Sequence, residues 1–397
     1  MFQGMGMYLL LLLAIIVGWA LGRLGPGSRR TRRERTGEIF DEYFVGLNYL
    51  LNDEPDEAID TFIKALELNS DTIETHLALG ALLRRRGKVD KAIKVHQALL
   101  ARPGLDQHFT DSTRMQLAID YIAAGLLDRA ERLLEDILDE GTPAKWEALK
   151  HLITIYQTEK EWENAIECSR RLLRSSEYKR NHEVRSKAAH YCCEQAEASL
   201  RSDQITDARD QVRGAFEFDR HCVRAELLLA RIEQKLGNYK VAIREYDRVR
   251  RNCPEFTAHV LVPMAECYEA LEQSADYDKL LRQALAEQPD VSVALALTRS
   301  IQQRHGEEPA LQFLTEYLGT HPSLTGLIEL LHLQIPRTDA TLGDNLTILQ
   351  RLLNEALQRK PAYRCNDCGF ESRNLYWLCP SCQKWDRIRP TLETGTF

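Results

Sequence analysis

The chain has 397 residues, 44% of them hydrophobic, and a formal net charge of −7 at pH 7. An acidic balance of this size argues against non-specific binding to nucleic acid. Six of the ten cysteines (Cys168, Cys192, Cys193, Cys222, Cys253 and Cys267) lack the spacing of a disulfide framework, as expected of reduced thiols in helix cores.

Residues 1–24 are predicted to form a single transmembrane anchor. Met1–Gly22 carries no charge and Tyr8–Leu21 is almost wholly apolar. At about 1.5 Å per helical residue, the stretch from Met5 to Arg23 nearly spans the hydrocarbon of a bilayer. Residues 25–38 read as a basic juxtamembrane linker: Arg29, Arg30, Arg32, Arg33 and Arg35 follow Arg23, with only Glu34 among them. No basic residue precedes the apolar run, so the positive-inside rule places the bulk of the chain on the cytoplasmic side, with the arginines facing lipid. A cleaved signal peptide would need a basic n-region and small residues at a cleavage site. The n-region is missing, Gly18-Trp19-Ala20-Leu21-Gly22 is a poor cleavage site, and Trp19 suits an interfacial anchor.

Residues 39–360 repeat themselves. A small residue recurs with a second one twelve positions on: Gly46 with Ala58, Gly80 with Ala92, Ala118 with Ala130, Ala196 with Ala208, and Ala230 with Ala242. The signature recurs at Ile153 with Ala165 and more weakly at Thr298 with Ala310, and a degenerate unit around Ala265 and Tyr268 has Tyr277 where alanine is expected. Successive first marks lie 34, 38, 35, 43, 34, 35 and 33 residues apart, so extra residues enter near Arg102–Thr110 and Glu177–Glu183, both predicted loops. Gly87, Gly125 and Gly237 mark turns between helices, and Pro254, Pro289 and Pro322 close units. The pattern resembles the tetratricopeptide repeat, a 34-residue helix–turn–helix unit whose small residues let helices approach closely. Eight units are predicted from Ile39 to about Pro322, with a ninth, irregular pair ending near Lys360. One unit cannot bury its own apolar stripe, so the expected fold is an all-α superhelical solenoid.

First helices of such units line a binding face. Glu147, Lys150, His190, Arg224, Arg231 and Arg299 are the groove candidates, against the plainer alternative that they sit on solvated helix faces. No H-E-x-x-H, Walker-type loop, G-x-S-x-G elbow or paired acid–base motif occurs, so no catalytic residue is assigned.

Residues 361–390 carry the most specific chemistry, Cys365–Cys368 and Cys379–Cys382 in a C-x2-C-x10-C-x2-C spacing. Two such knuckles converge four thiolates on one ion, zinc or iron, in a closed site of structural type. About thirty residues cannot bury enough apolar surface to fold alone, so the ion must supply folding free energy. Tyr363, Phe370, Tyr376, Trp377 and Trp385 either build the ribbon's small core or dock it onto the rest of the chain. Residues 391–397 are a tail.

An anchor, a tetratricopeptide array and a four-cysteine ribbon, in that order, resemble the lipopolysaccharide assembly protein B family of Gram-negative bacteria over essentially the whole chain. The most specific matches are Gly18-Trp19 with Gly22-Arg23, Tyr363-Arg364-Cys365, Cys368-Gly369-Phe370, Tyr376-Trp377, Cys379-Pro380-Ser381-Cys382 and Trp385. The ribbon also resembles rubredoxin, but the stretch between knuckles is far shorter and Gln383 replaces the second knuckle's glycine. The resemblance implies a membrane-tethered, non-enzymatic adaptor at the bacterial inner membrane. It would assist the membrane-anchored AAA+ protease FtsH in degrading the deacetylase that commits precursor to lipid A, and would gather lipopolysaccharide-synthesis and export proteins. It also implies a ribbon packed against the repeats. The alternatives are an electron carrier and a plain assembly scaffold without a proteolytic role. Self-association is left open.

Overall fold

A computed structural model of the chain describes residues 73–391, together with Trp19, Val45, Gly46, Tyr49, Glu57 and Thr61. Apart from those isolated positions, the expected anchor, the basic linker and the first repeat lie outside the described residues, as does the tail from 392 on. Among the described residues no helix is long and apolar enough to cross a membrane.

The chain divides into two compact units, Met1–Ile155 and Tyr156–Phe397. The first holds helices α1 (Ile73–Arg85), α2 (Val89–Leu100), α3 (Gln107–Ala123), α4 (Leu127–Asp139) and the start of α5 (Lys145–Glu159). The second continues with α6 (Trp162–Leu172), α7 (His182–Arg201), α8 (Ile205–Phe218), α9 (Val223–Lys235), α10 (Tyr239–Asn252), α11 (Thr257–Ala270) and α12 (Ser274–Glu287). Then come α13 (Val291–His305), α14 (Glu307–Thr320), α15 (Leu324–Gln334) and α16 (Ala340–Gln358). The chain ends in a three-stranded antiparallel ribbon, β1 (Tyr363–Cys365), β2 (Glu371–Ser372) and β3 (Ile388–Pro390), with β1 in the middle. The fold is thus a helical array of tetratricopeptide type with a small C-terminal metal ribbon.

The small residues sit where helices touch. Ala92, Ala118 and Ala130 in the first unit, and Ala196, Ala208, Ala230, Ala242 and Ala310 in the second, have no exposed surface. Gly80 has a sharper reason to be glycine, because a Cβ there would overlap the His96 ring. That ring cannot retreat: His96 Nδ1 lies 2.5 Å from Asp120 Oδ2, and Asp120 Oδ1 accepts from Arg84 at 2.5 Å, which ties α1, α2 and α3 together. Tyr277 is admitted at an alanine position because its buried hydroxyl donates to the Leu261 carbonyl at 2.9 Å.

Both stretches expected as loops are partly helical. Asp106 caps α3 and Asn181 caps α7 by accepting from backbone N–H groups, so helix begins at Gln107 and His182. Part of each insertion therefore lengthens a helix, to 17 residues in α3 and 20 in α7 against 13 in α1 and α9.

The hairpin turns share one geometry that the glycines only half disclose. Gly87, Gly125 and Gly237 have φ of 77°, 73° and 76°, and Lys160, Asp203 and Glu272 take the same left-handed conformation at 62°, 59° and 55°. In all six the next N–H reaches back to a carbonyl of the helix's last turn, for example Gln204 N to Ser199 O and Glu161 N to Tyr156 O, both at 2.8 Å. A side chain in that conformation costs about 1 kcal/mol relative to glycine. Replacing Asp203 or Lys160 with glycine is therefore expected to raise Tm by a degree or two, on the order of 0.5–1 kcal/mol, read by calorimetry.

Candidate metal centre and the face it docks on

The two cysteine pairs fold as two copies of one loop. Cys365 N donates to Phe370 O and Gly369 N to Cys365 O; Cys379 N donates to Lys384 O and Gln383 N to Cys379 O. Each loop turns on a left-handed residue after its second cysteine, Gly369 at φ 74° and Gln383 at φ 55°. Gln383 holds that conformation while its side-chain amide donates to the Pro380 carbonyl at 2.9 Å. The fold also aims backbone N–H groups at sulfur: Phe370 N–H holds the Cys368 thiol down to about 6, whereas burial pushes the Cys382 thiol up to about 12 and the Lys384 N–H only opposes that rise.

All four sulfurs lie within 4.8 Å of one another. Cys365 Sγ is 3.8 Å from Cys382 Sγ, and Cys368 Sγ is 3.7 Å from Cys379 Sγ. A tetrahedron with metal–sulfur bonds of about 2.3 Å has edges of about 3.8 Å, so this donor set fits one ion. Cys365 and Cys379 are buried and Cys368 is exposed. Asp367 lies inside the first knuckle but accepts from Lys384 Nζ at 2.6 Å, tying the two loops together instead of competing for metal. The four thiols form the one cluster of three or more metal-ligating side chains among the described residues.

The aromatic residues divide between the two expected roles. Tyr363 and Phe370 pack with Cys365, Cys379 and Ile388 inside the ribbon, while Tyr376 is 41% exposed. Trp377 and Trp385 face the helices. Trp385 stacks on His190 with centroids 5.0 Å apart and meets Trp162 and Tyr191 edge-on. Its Nε1–H donates to Gln157 Oε1 at 2.9 Å, the same oxygen that accepts from the Tyr191 hydroxyl at 2.8 Å. Trp377 stacks on Phe256 at 5.7 Å. The Arg224 guanidinium lies 5.9 Å from both indole rings while pairing with Glu194 and Glu197. At the ribbon's edge Tyr363 Oη is 2.8 Å from His259 Nε2, and Arg389 approaches Glu255 at 3.6 Å.

This placement corrects two groove assignments. His190 and Arg224, expected on an open binding face, are 1% and 3% exposed because the ribbon covers them. Arg231 lines a cavity of about 540 Å³ and Arg299 one of about 250 Å³, both in the second unit. Glu147 lines a cavity of about 620 Å³ in the first unit, and Lys150 pairs with Glu147 at 2.7 Å. Gln157, Trp162, Tyr191, Phe256 and His259 escaped notice, since nothing in their neighbourhood in sequence marks a partner up to 228 residues away.

Burial pushes His190 down to about 3, with Arg224 and Arg389 acting in the same direction and Asp386 opposing them. An uncovered histidine titrates near 6.5, so the docked form binds fewer protons than the undocked one. Docking is then complete above pH ~6.5 and weakens as pH falls toward 3, by about 1.4 kcal/mol per pH unit. Tryptophan emission of metal-loaded protein should move to the red between pH 6.5 and 5, and His190→Gln should flatten that response.

A family profile described as a rubredoxin metal binding domain matches residues 363–390, and one described as a tetratricopeptide repeat matches residues 75–107. Lipopolysaccharide assembly protein B of Escherichia coli strain K12 is 32% identical over 385 residues, covering 97% of each chain. Its namesake from Haemophilus influenzae is 31% identical over 393 residues, again covering 97% of each. A tetratricopeptide repeat protein from Parabacteroides merdae has a solved structure similar at TM-score 0.34 and 16% identity, covering 67% of this chain and all of that one. With relatives matched from end to end, and the metal ribbon among the matched residues, the chain belongs to the lipopolysaccharide assembly protein B family.

Proposed function

We propose that the protein is a membrane-tethered, non-enzymatic adaptor in lipopolysaccharide assembly. The observation that carries the reading is the near-complete alignment with relatives named for that process. The apolar run at residues 1–24 and the arginines after it support a single-pass anchor in the inner membrane, with the bulk of the chain on the cytoplasmic side. Tethering would concentrate the array in the plane of its partners and raise effective concentration without new contacts. A closed four-thiol site and open helix faces suit holding proteins better than transforming small molecules.

In the finer form of the proposal, the partners are the membrane-anchored protease FtsH and the deacetylase of the committed step to lipid A, which the adaptor helps to degrade. Other synthesis and export proteins gather on the same array. Depleting the protein should lengthen the deacetylase's half-life in a pulse-chase measurement. An unchanged half-life together with intact co-purification of synthetic enzymes would leave the plain scaffold. The exposed Cys368 favours examining electron transfer as well. Iron-loaded, red protein that bleaches reversibly on reduction would support it, and colourless protein with one zinc would dismiss it.

A further inference from the structure

Two adjoining cavities in the second unit share Glu266 and carry chemistry that nothing above uses. The larger, about 540 Å³, is lined by Leu227, Arg231 and Lys235 of α9, Tyr246 of α10, and His259 and Pro263 of α11. The smaller, about 250 Å³, continues over Val262 and Ala265 to Arg299 of α13. Three features mark this face as built for an occupant. Arg231 and Lys235 lie one helical turn apart, both exposed, and neither makes an ion pair with any described residue; the nearby carboxylate, Glu266, is engaged by Gln234 Nε2 at 2.8 Å. Pro263 stands inside α11, where it has no N–H to give the His259 carbonyl one turn back, so an acceptor is left over on the lining. His259 Nδ1 is buried and has no hydrogen-bond partner, although Nε2 is held by Tyr363. Beside these polar groups Val262 is 44% exposed, a large apolar side chain left open to solvent.

Free cations, an unused backbone acceptor and an open apolar surface are what an extended polypeptide with an acidic side chain would satisfy together. A phosphorylated lipid fits less well, because its phosphates and acyl chains bring no N–H to the His259 carbonyl that Pro263 leaves over. We propose that this face binds an extended acidic–apolar segment of another protein, its carboxylate between Arg231 and Lys235, a backbone N–H on the His259 carbonyl and an apolar side chain against Val262. The proposal rests on the reading of the array as a surface that holds proteins, and names the kind of segment it holds. The ribbon borders the site through the Tyr363–His259 bond, so an occupant would touch the array beside the metal domain.

The test uses full-length protein in detergent micelles and fluorescence anisotropy. The probe is a labelled decapeptide of alternating leucine and glutamate with its C-terminus blocked. It should bind, and its glutamine counterpart should bind about ten-fold more weakly. The double variant Arg231→Glu with Lys235→Glu should raise Kd about ten-fold or more, whereas Arg244→Glu, a charge reversal on an exposed residue of α10, should leave it unchanged. Pro263→Ala restores the helix bond, so it should raise Tm and yet weaken the peptide several-fold. An unchanged Kd in the double variant overturns the proposal. So does binding confined to a glutamine–leucine peptide with a free C-terminus, or to vesicles of anionic phospholipid. Photo-reactive residues at Val262 and at Glu147 in cells separate the two levels of failure. Capture at Glu147 alone would remove this subsite, and capture at neither would remove the adaptor reading itself.

Discussion

Replacing Cys379 with serine is expected to release the metal and, with it, the whole ribbon from the helices. Cys379 has no exposed surface, and the ribbon's own buried cluster contains only Cys365, Cys379 and Ile388, two of them ligands. Apolar burial of that size cannot hold about thirty residues in one conformation, so the ion supplies most of the folding free energy, on the order of 10 kcal/mol. Without it Trp377 and Trp385 leave Phe256 and His190 for water. The variant should retain less than one equivalent of metal, show red-shifted tryptophan emission, and become sensitive to trypsin at Lys360, Arg364 and Arg373. Helical circular dichroism should scarcely change, because the ribbon contributes three short strands and no helix. A variant that loses its metal yet keeps the parent's emission and protease resistance would show that the ribbon folds without the ion.

Much of this arrangement was legible in the sequence because it depends on local rules. Four cysteines at knuckle spacing specify a site that any fold must close in nearly the same way, and their sulfurs fall on the edges of one tetrahedron. Small residues at a 34-residue period mark contacts between neighbouring helices, where the spacing itself carries the geometry. The turns were half legible. Gly87, Gly125 and Gly237 announce a left-handed residue, but Lys160, Asp203 and Glu272 adopt it under the constraint of the helices on either side. The docking face was not legible. Trp162, Gln157 and Tyr191 meet Trp385 only because the chain turns back across as many as 228 residues, and no periodicity records that return. The same blindness put His190 and Arg224 on an open groove: a polar residue on a first helix reads alike whether water or an indole covers it.

Trp385→Ala is expected to separate docking from metal binding. Trp385 is 5% exposed, and its side chain reaches only helix residues through its ring stack, edge contacts and indole hydrogen bond. Truncating a buried tryptophan costs about 3–5 kcal/mol, all of it here drawn from the ribbon–helix contact. The four ligands lie elsewhere, and the main-chain bridge between Leu378 and Trp385 does not need the indole, so one equivalent of metal should remain. The expected protein binds metal normally, digests with trypsin faster than the parent, and loses the pH response assigned to His190, which is no longer covered. Trp385→Phe should keep the stack and lose only the bond to Gln157, at about 1 kcal/mol. Combining Trp385→Ala with Cys379→Ser then tests whether both act on one docked state. If they do, the double variant is no more protease-sensitive than Cys379→Ser alone, since contacts already lost with the metal cannot be lost again. Additive effects would mean that the unmetallated ribbon still clings to His190 through Trp385.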